Sequence, residues 1–148
     1  MLSKIKMKVL GQRYDLGHGG ERQIATRLIG IRSDHLTRYY HAGKKLSGCK
    51  MILDAASGIG YGSKIMAEMN HKARVFAVDK DINSHFFGNN YYHHKNLIRV
   101  PLLIEDIKKL GSDFDGITSF ETIEHLNEPN HFLKDLAYLS NRSTKFFI

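Results

Sequence analysis

Cysteine occurs once and proline twice in these 148 residues. With Cys49 alone, no internal disulfide can form, and the composition fits a reducing compartment, read here as the cytoplasm. No apolar stretch is long enough to span a membrane. The first ten residues interleave Lys4, Lys6 and Lys8 with apolar side chains, so they lack the unbroken apolar core of a signal peptide. Long basic runs are missing too. The 22 Lys and Arg outweigh the 15 Asp and Glu, for a net +7, yet the longest runs are the pairs Lys44-Lys45 and Lys108-Lys109. A nucleic-acid surface normally clusters its cations, so scattered surface charge is the favoured reading. There is no repeat, no low-complexity tract and no compositional boundary. The length suits one domain.

Residues 1–48 read as an N-terminal arm and helices that form a lid. Leu2 to Leu10 alternates roughly, as a short strand or a disordered arm would. Arg13 to Gly20 reads as a glycine-containing loop. Glu21 to Ile31 and Asp34 to Leu46 read as helices, the second with Ser33 as N-cap and Gly48 just beyond its end. From Lys50 the pattern changes to strand–helix alternation. The expected strands are Lys50–Asp54, Arg74–Asp79, Ile98–Ile104, Phe114–Phe120 and Lys145–Ile148. The expected helices are Tyr61–Asn70, Ile82–His94, a short turn near Ile107–Leu110, and Pro129–Leu139. Such alternation predicts an α/β fold, a parallel sheet with helices on both faces. Pro101 cannot donate to a sheet ladder, which puts the third strand at an edge. That is its place in the order 3-2-1-4-5.

The most informative run is Met51 to Gly62. An apolar strand ends in Asp54, the small-residue loop Ala55-Ala56-Ser57-Gly58-Ile59-Gly60 follows, and a helix opens at Tyr61. Small residues let backbone approach a ligand, and a helix N-terminus offers free N–H groups. The second strand ends in Asp79, 21 residues beyond Gly58, close to the spacing of an acid that grips a ribose. Loop, helix and second acid together read as a nucleoside-cofactor site.

Four landmarks in register make residues Asp34 to Ile148 resemble the class I S-adenosylmethionine-dependent methyltransferases. They are Leu53 to Gly62, Val78-Asp79, Glu105-Asp106-Ile107, and Phe114 to Leu126 with its Glu124-His125-Leu126 turn. The resemblance implies a Rossmann-like core over 49–148 with S-adenosylmethionine as cofactor. It implies that Asp54 holds the loop and the methionine amino group. Ala56, Ser57, Gly58 and Gly60 would pass beneath the cofactor. Asp79, with Lys80 beside it, would take the ribose hydroxyls. Asp106 would meet the adenine amino group, with Ile107 beside the ring. Glu121 would face the acceptor pocket, with Glu121 and His125 as candidate proton acceptors. The three acids Asp54, Asp79 and Asp106 are expected to converge on one ligand.

Two departures stand out. Ala56 replaces the family's first loop glycine, which is tolerable if its φ is negative. The chain also ends after strand five, whereas the family continues into strands six and seven. A truncated product, a fragment or one piece of an oligomer is the expectation, with the strand-five edge open to pairing with another copy. Glu121, Glu124 and His125 invite a metal, but three ligands make an incomplete site, and no metal is assigned. The expected acceptor is a small molecule. Two rival readings are a cofactor-binding remnant without turnover and a short-chain NAD(P)-dependent oxidoreductase. The latter is suggested by Tyr91 and Lys95, although such a pair belongs after strand four.

Overall fold

The computed structural model describes residues 4–9, 12–18, 23–111 and 113–148, with side chains described from 23 onward. Two antiparallel strands, β1 (Lys4–Val9) and β2 (Gln12–His18), form a hairpin. Most of the segment read as a glycine loop is therefore strand, and the alternating arm is its partner. After irregular residues 23–27 and a single 3-10 turn at Leu28–Gly30 comes α1 (Ser33–Lys45). The alternating part is β3 (Met51–Ala55), α2 (Tyr61–Met69), β4 (Arg74–Asp79), α3 (Ile82–Tyr91), β5 (Leu97–Pro101), a 3-10 segment Ile104–Leu110, β6 (Phe114–Thr118), a 3-10 turn Ile123–His125, α4 (Pro129–Leu139) and β7 (Ser140–Phe147).

The expected helix over 21–31 does not form in the described residues. Arg27 is extended, at φ −139° and ψ 151°. Tyr92 donates from its hydroxyl to the Ala25 carbonyl at 2.5 Å, and Ile24, Ala25 and Leu28 pack on the core. A tertiary hydrogen bond and apolar burial thus override local helical pattern. Ser33 is the first helical residue of α1 rather than its cap, a position held by Arg32.

The main sheet runs β5-β4-β3-β6-β7 and is parallel throughout, with β5 and Pro101 at one edge. Counting only strands of the alternating part, this is the expected 3-2-1-4-5. Period-two alternation divides the core between two faces. Ile52 and Val75 point to α1, α2 and α3. Leu53, Val78 and Ile117 point to α4 and the Ile104–Leu110 segment. Burying each of these aliphatic side chains contributes about 1.5–3 kcal/mol.

Polar contacts set the register. The Asp115 carboxylate accepts from the Lys50 and Met51 amides, both at 2.8 Å, tying the start of β6 to the start of β3. The Asn96 amide donates to the Ala67, Asn70 and Ala73 carbonyls and closes the α2–β4 turn. The last strand is longer than expected. Its pairing with β6 shifts between Phe114 and Gly116, where Thr144 donates to the Phe114 carbonyl at 2.6 Å. Among the described residues no helix is long and apolar enough to cross a membrane.

Candidate functional site

At the carboxyl ends of β4, β3 and β6 lies a cleft of about 980 Å³. An open parallel sheet binds ligands at this end, where strand order reverses. The floor is the loop after β3. The Ser57 amide donates to the Val78 carbonyl at 2.8 Å, and the Gly60 amide to the Ser57 carbonyl at 3.0 Å. Gly58 has φ 57°, and a β-carbon there would meet nothing within 4 Å. Backbone therefore faces open cleft, which is where a ligand comes close. Ser57 is 4% exposed, and its Oγ has no hydrogen-bond partner among the described residues. An orphaned buried hydroxyl in a cleft wall fits a missing polar ligand atom.

Ala56, Ser57, Gly58, Asp79, Lys80, Glu121 and His125 all line this cleft. Asp79 holds the loop: its Oδ2 accepts from the Gly58 amide at 2.8 Å, and its Oδ1 from the Asp81 amide at 2.9 Å. Four expected residues are elsewhere. Asp54 is wholly buried under the floor. It accepts from Ser63 at 2.5 Å, Thr118 at 3.0 Å and Tyr39 at 3.4 Å. Burial pushes its carboxyl up to about 6, against the lowering effect of those three donors. Gly60 abuts Arg99, whose guanidinium would collide with a β-carbon at 2.4 Å, so packing and its φ of 81° require glycine there. Asp106 pairs with Lys109 at 2.8 Å, and Ile107 is buried in the core. The 3-10 coil of Ile104–Leu110 puts Glu105 in the cleft instead. The three acids therefore do not converge: Asp79 alone lines the cleft. Ala56 also breaks the condition set for it, with φ 63°.

Other lining residues lie outside the four landmarks. From α1 come His35, Arg38 and Tyr39. His35 Nδ1 lies 3.0 Å from the Tyr61 hydroxyl, and the Tyr39 ring meets Phe120 and Tyr61 edge-on at 4.9 and 5.6 Å. Gly62 is required here, because a β-carbon would sit 2.2 Å from the Tyr39 ring. Tyr40, the next residue on α1, is exposed and outside the cleft. At the far end, Asp135 is buried between Lys108 at 3.1 Å and His131 at 3.6 Å. Arg38 forms an ion pair with Glu121, itself left-handed at φ 51°. Among the described residues no three His, Cys, Asp or Glu side chains gather as metal ligands. Tyr91 and Lys95 do not line the cleft. Cys49 is buried on the opposite side of the sheet's strand ends, beside the Asp115 carbonyl, and burial raises its thiol pKa.

Residues 53–148 match the family described as a methyltransferase domain. The structure resembles a protein from Listeria monocytogenes assigned as an S-adenosylmethionine-dependent methyltransferase, with 18% identity and a TM-score of 0.62 over 75% of this chain and 53% of that one. It also resembles a chain of the complex between the Haloferax volcanii Trm112 methyltransferase activator and an assigned methyltransferase. There the identity is 20% and the TM-score 0.67, over 80% of this chain and 53% of that one. A third likeness is to the plantazolicin methyltransferase BpumL in complex with SAH, at 19% identity and a TM-score of 0.63, over 74% and 46%. The chain thus spans about half the length of these structures. No curated protein matches the sequence.

Proposed function

Because the chain belongs to the methyltransferase-domain family, we propose that its cleft binds S-adenosylmethionine and that the protein transfers the methyl group to a small-molecule acceptor. The observation that carries this reading is the floor: an open φ-positive Gly58, an orphaned Ser57 hydroxyl and Asp79 in one continuous surface. The cofactor supplies a methyl group that is already electrophilic on its sulfonium. The chain's part is then to align, to exclude water and to accept a proton. Asp79 takes the ribose hydroxyls through charge-assisted bonds, with Lys80 beside it. Glu105 takes the place at the adenine edge that the sequence assigned to Asp106. Asp54 acts from beneath by fixing Tyr39 and Ser63. His125 and Glu121 line the acceptor side and are the candidates to take its proton.

The lining charges support a small acceptor. Asp79, Glu105, Glu121, Glu128 and Asp135 face Arg38 and Lys80, so the cleft carries more acid than base in a chain of net +7. A polyanion would meet repulsion there. Arg38 and Tyr39 of α1 line the cleft, which supports a lid role for the segment that carries them. A cytoplasmic setting agrees with the reduced, buried Cys49. Phe146 of β7 and Ile148 just past it, 44% and 48% exposed, support self-association at that edge. Sedimentation at the monomer mass at every concentration would rule self-association out.

Calorimetry with S-adenosylmethionine, S-adenosylhomocysteine and NADH tests the proposal. Saturable binding of both sulfur nucleosides is expected. If they bind but no acceptor is methylated, the remnant reading stands. Preferential NADH binding would overturn the assignment.

A further inference from the structure

All five strands of the main sheet run parallel, so their first residues share one end, opposite the cleft. Hydrogen bonds join those strand starts into a row. The Val75 amide donates to the Asn96 carbonyl at 2.9 Å, and the Arg74 amide to the Lys50 carbonyl at 2.7 Å. The Asp115 carboxylate accepts from the Lys50 amide, and Lys145, opposite Gly116, donates to the Lys45 carbonyl at 2.9 Å. Lys50, Lys72, Arg74 and Lys95 are exposed along this row, as are Arg142 and Lys145 of β7. Lys44 and Lys45 join them from the last turn of α1, where cations answer the helix dipole. The last turns of α2, α3 and α4 carry no basic residue, so the dipoles give the other cations no such reason. Among the described residues, none of these side chains pairs with a carboxylate, whereas Arg32, Arg38, Lys64, Lys108 and Lys109 do. The described acids at this end are Glu68, paired with Lys64, Asp113, and Asp115, whose carboxylate is taken up by two backbone amides.

Folding thus gathers at one pole cations that the sequence scatters. We propose that this pole is a docking surface for double-stranded nucleic acid, held through its phosphates without base readout. Neighbouring strands lie about 4.8 Å apart, so the row of five strand starts is about 19 Å long. A duplex carries one negative charge per about 1.7 Å of its axis, so one lying along the row offers about eleven. Arg74 is already oriented for such a contact. Its guanidinium lies over the Phe76 ring, 5.2 Å from the centroid, which leaves its N–H edge for a phosphate. The α-helices begin at the cleft end, so side chains rather than helix N-termini hold the phosphates, and binding depends on salt. Among the described residues, the exposed large apolar side chains fall outside residues 44–50, 71–74, 93–97, 113–116 and 140–145. An anionic membrane needs such side chains to insert, and a single strand needs rings on which to stack its bases. A duplex needs neither. It is a tether and not a methyl acceptor, because the acid-rich cleft lies at the other pole. The docking therefore stands whatever ligand the cleft binds.

The test is fluorescence anisotropy of a labelled, mixed-sequence DNA duplex titrated with the whole chain. In the unaltered protein the duplex binds, and affinity falls about a hundredfold between about 50 and 200 mM salt, the slope of about four phosphate contacts. In the double variant Lys50→Gln, Lys72→Gln, affinity at the low salt falls about tenfold or more, and the slope becomes shallower by about 1.8. The double variant Arg27→Gln, Lys134→Gln removes the same charge from exposed positions away from the row, and its binding stays within about twofold. Coinciding thermal melts show that both variants are folded. Equal losses in the two variants would mean attraction by net charge alone and overturn the docking surface, as would no duplex binding at low salt. Tighter binding of the same sequence as a single strand, or of phosphatidylserine vesicles, overturns it as well.

Discussion

Ala56 holds φ at 63°, a conformation that costs an L-residue with a β-carbon about 1–2 kcal/mol. Ala56→Gly relieves this and gives back part of it as chain entropy. The expected net is a stabilisation of about 0.5–1 kcal/mol in urea unfolding. Asp54 carries a second residue-scale prediction. Its folded carboxyl lies near 6 because of burial, above its ordinary value of 3.8. Folding then takes up a proton between those values, so Asp54 contributes stability that is full below about pH 4 and lost as pH rises through about 6. The swing is at most about 3 kcal/mol. Asp54→Asn should remove this slope, read as the difference between wild-type and variant melting curves from pH 4 to 8. The sequence marked Asp54 as important, since it ends a strand before a glycine loop. It did not show that the side chain turns under the loop toward Ser63, because facing is set by α2 packing. Asp106 illustrates the same limit: a 3-10 turn rotates it out and Glu105 in, and no spacing distinguishes adjacent acids.

Among elements, the parallel sheet and α1 were legible, and the stretch read as a helix over 21–31 was not. Strand–helix alternation is a local signal, and right-handed crossovers leave few orders open. Ile24, Ala25 and Leu28 have a helix-like pattern, but Tyr92 and the core hold them in an irregular stretch and a 3-10 turn, through contacts remote in sequence. The length of β7 escaped for a related reason: Asn141 and Thr144 make a bulge that polar composition disguises as loop. Asp115 accepts from the Lys50 and Met51 amides where β3 begins, a partner that no local pattern announces. Asp115→Ala leaves both amides without that partner and should cost about 1–3 kcal/mol in chemical denaturation. A stability unchanged in the variant would show that water replaces the carboxylate fully.

Over the whole molecule, family membership and the cleft agree, although the three-acid convergence did not occur. What survives is a surface made by one acid, one loop and the β6 turn, and it lies where strand order reverses. Net charge +7 invited a nucleic-acid reading, whereas acids concentrate in the cleft, a distribution that only folding reveals. Nuclear magnetic resonance on isotope-labelled protein titrated with S-adenosylhomocysteine tests the central claim most directly. The account predicts that the amides of Ser57, Gly58, Lys80 and Glu121 shift together and saturate at one ligand concentration, while those of Asp106 and β7 stay in place. Saturable shifts confined to some other surface, or no shift at these four amides, would contradict it.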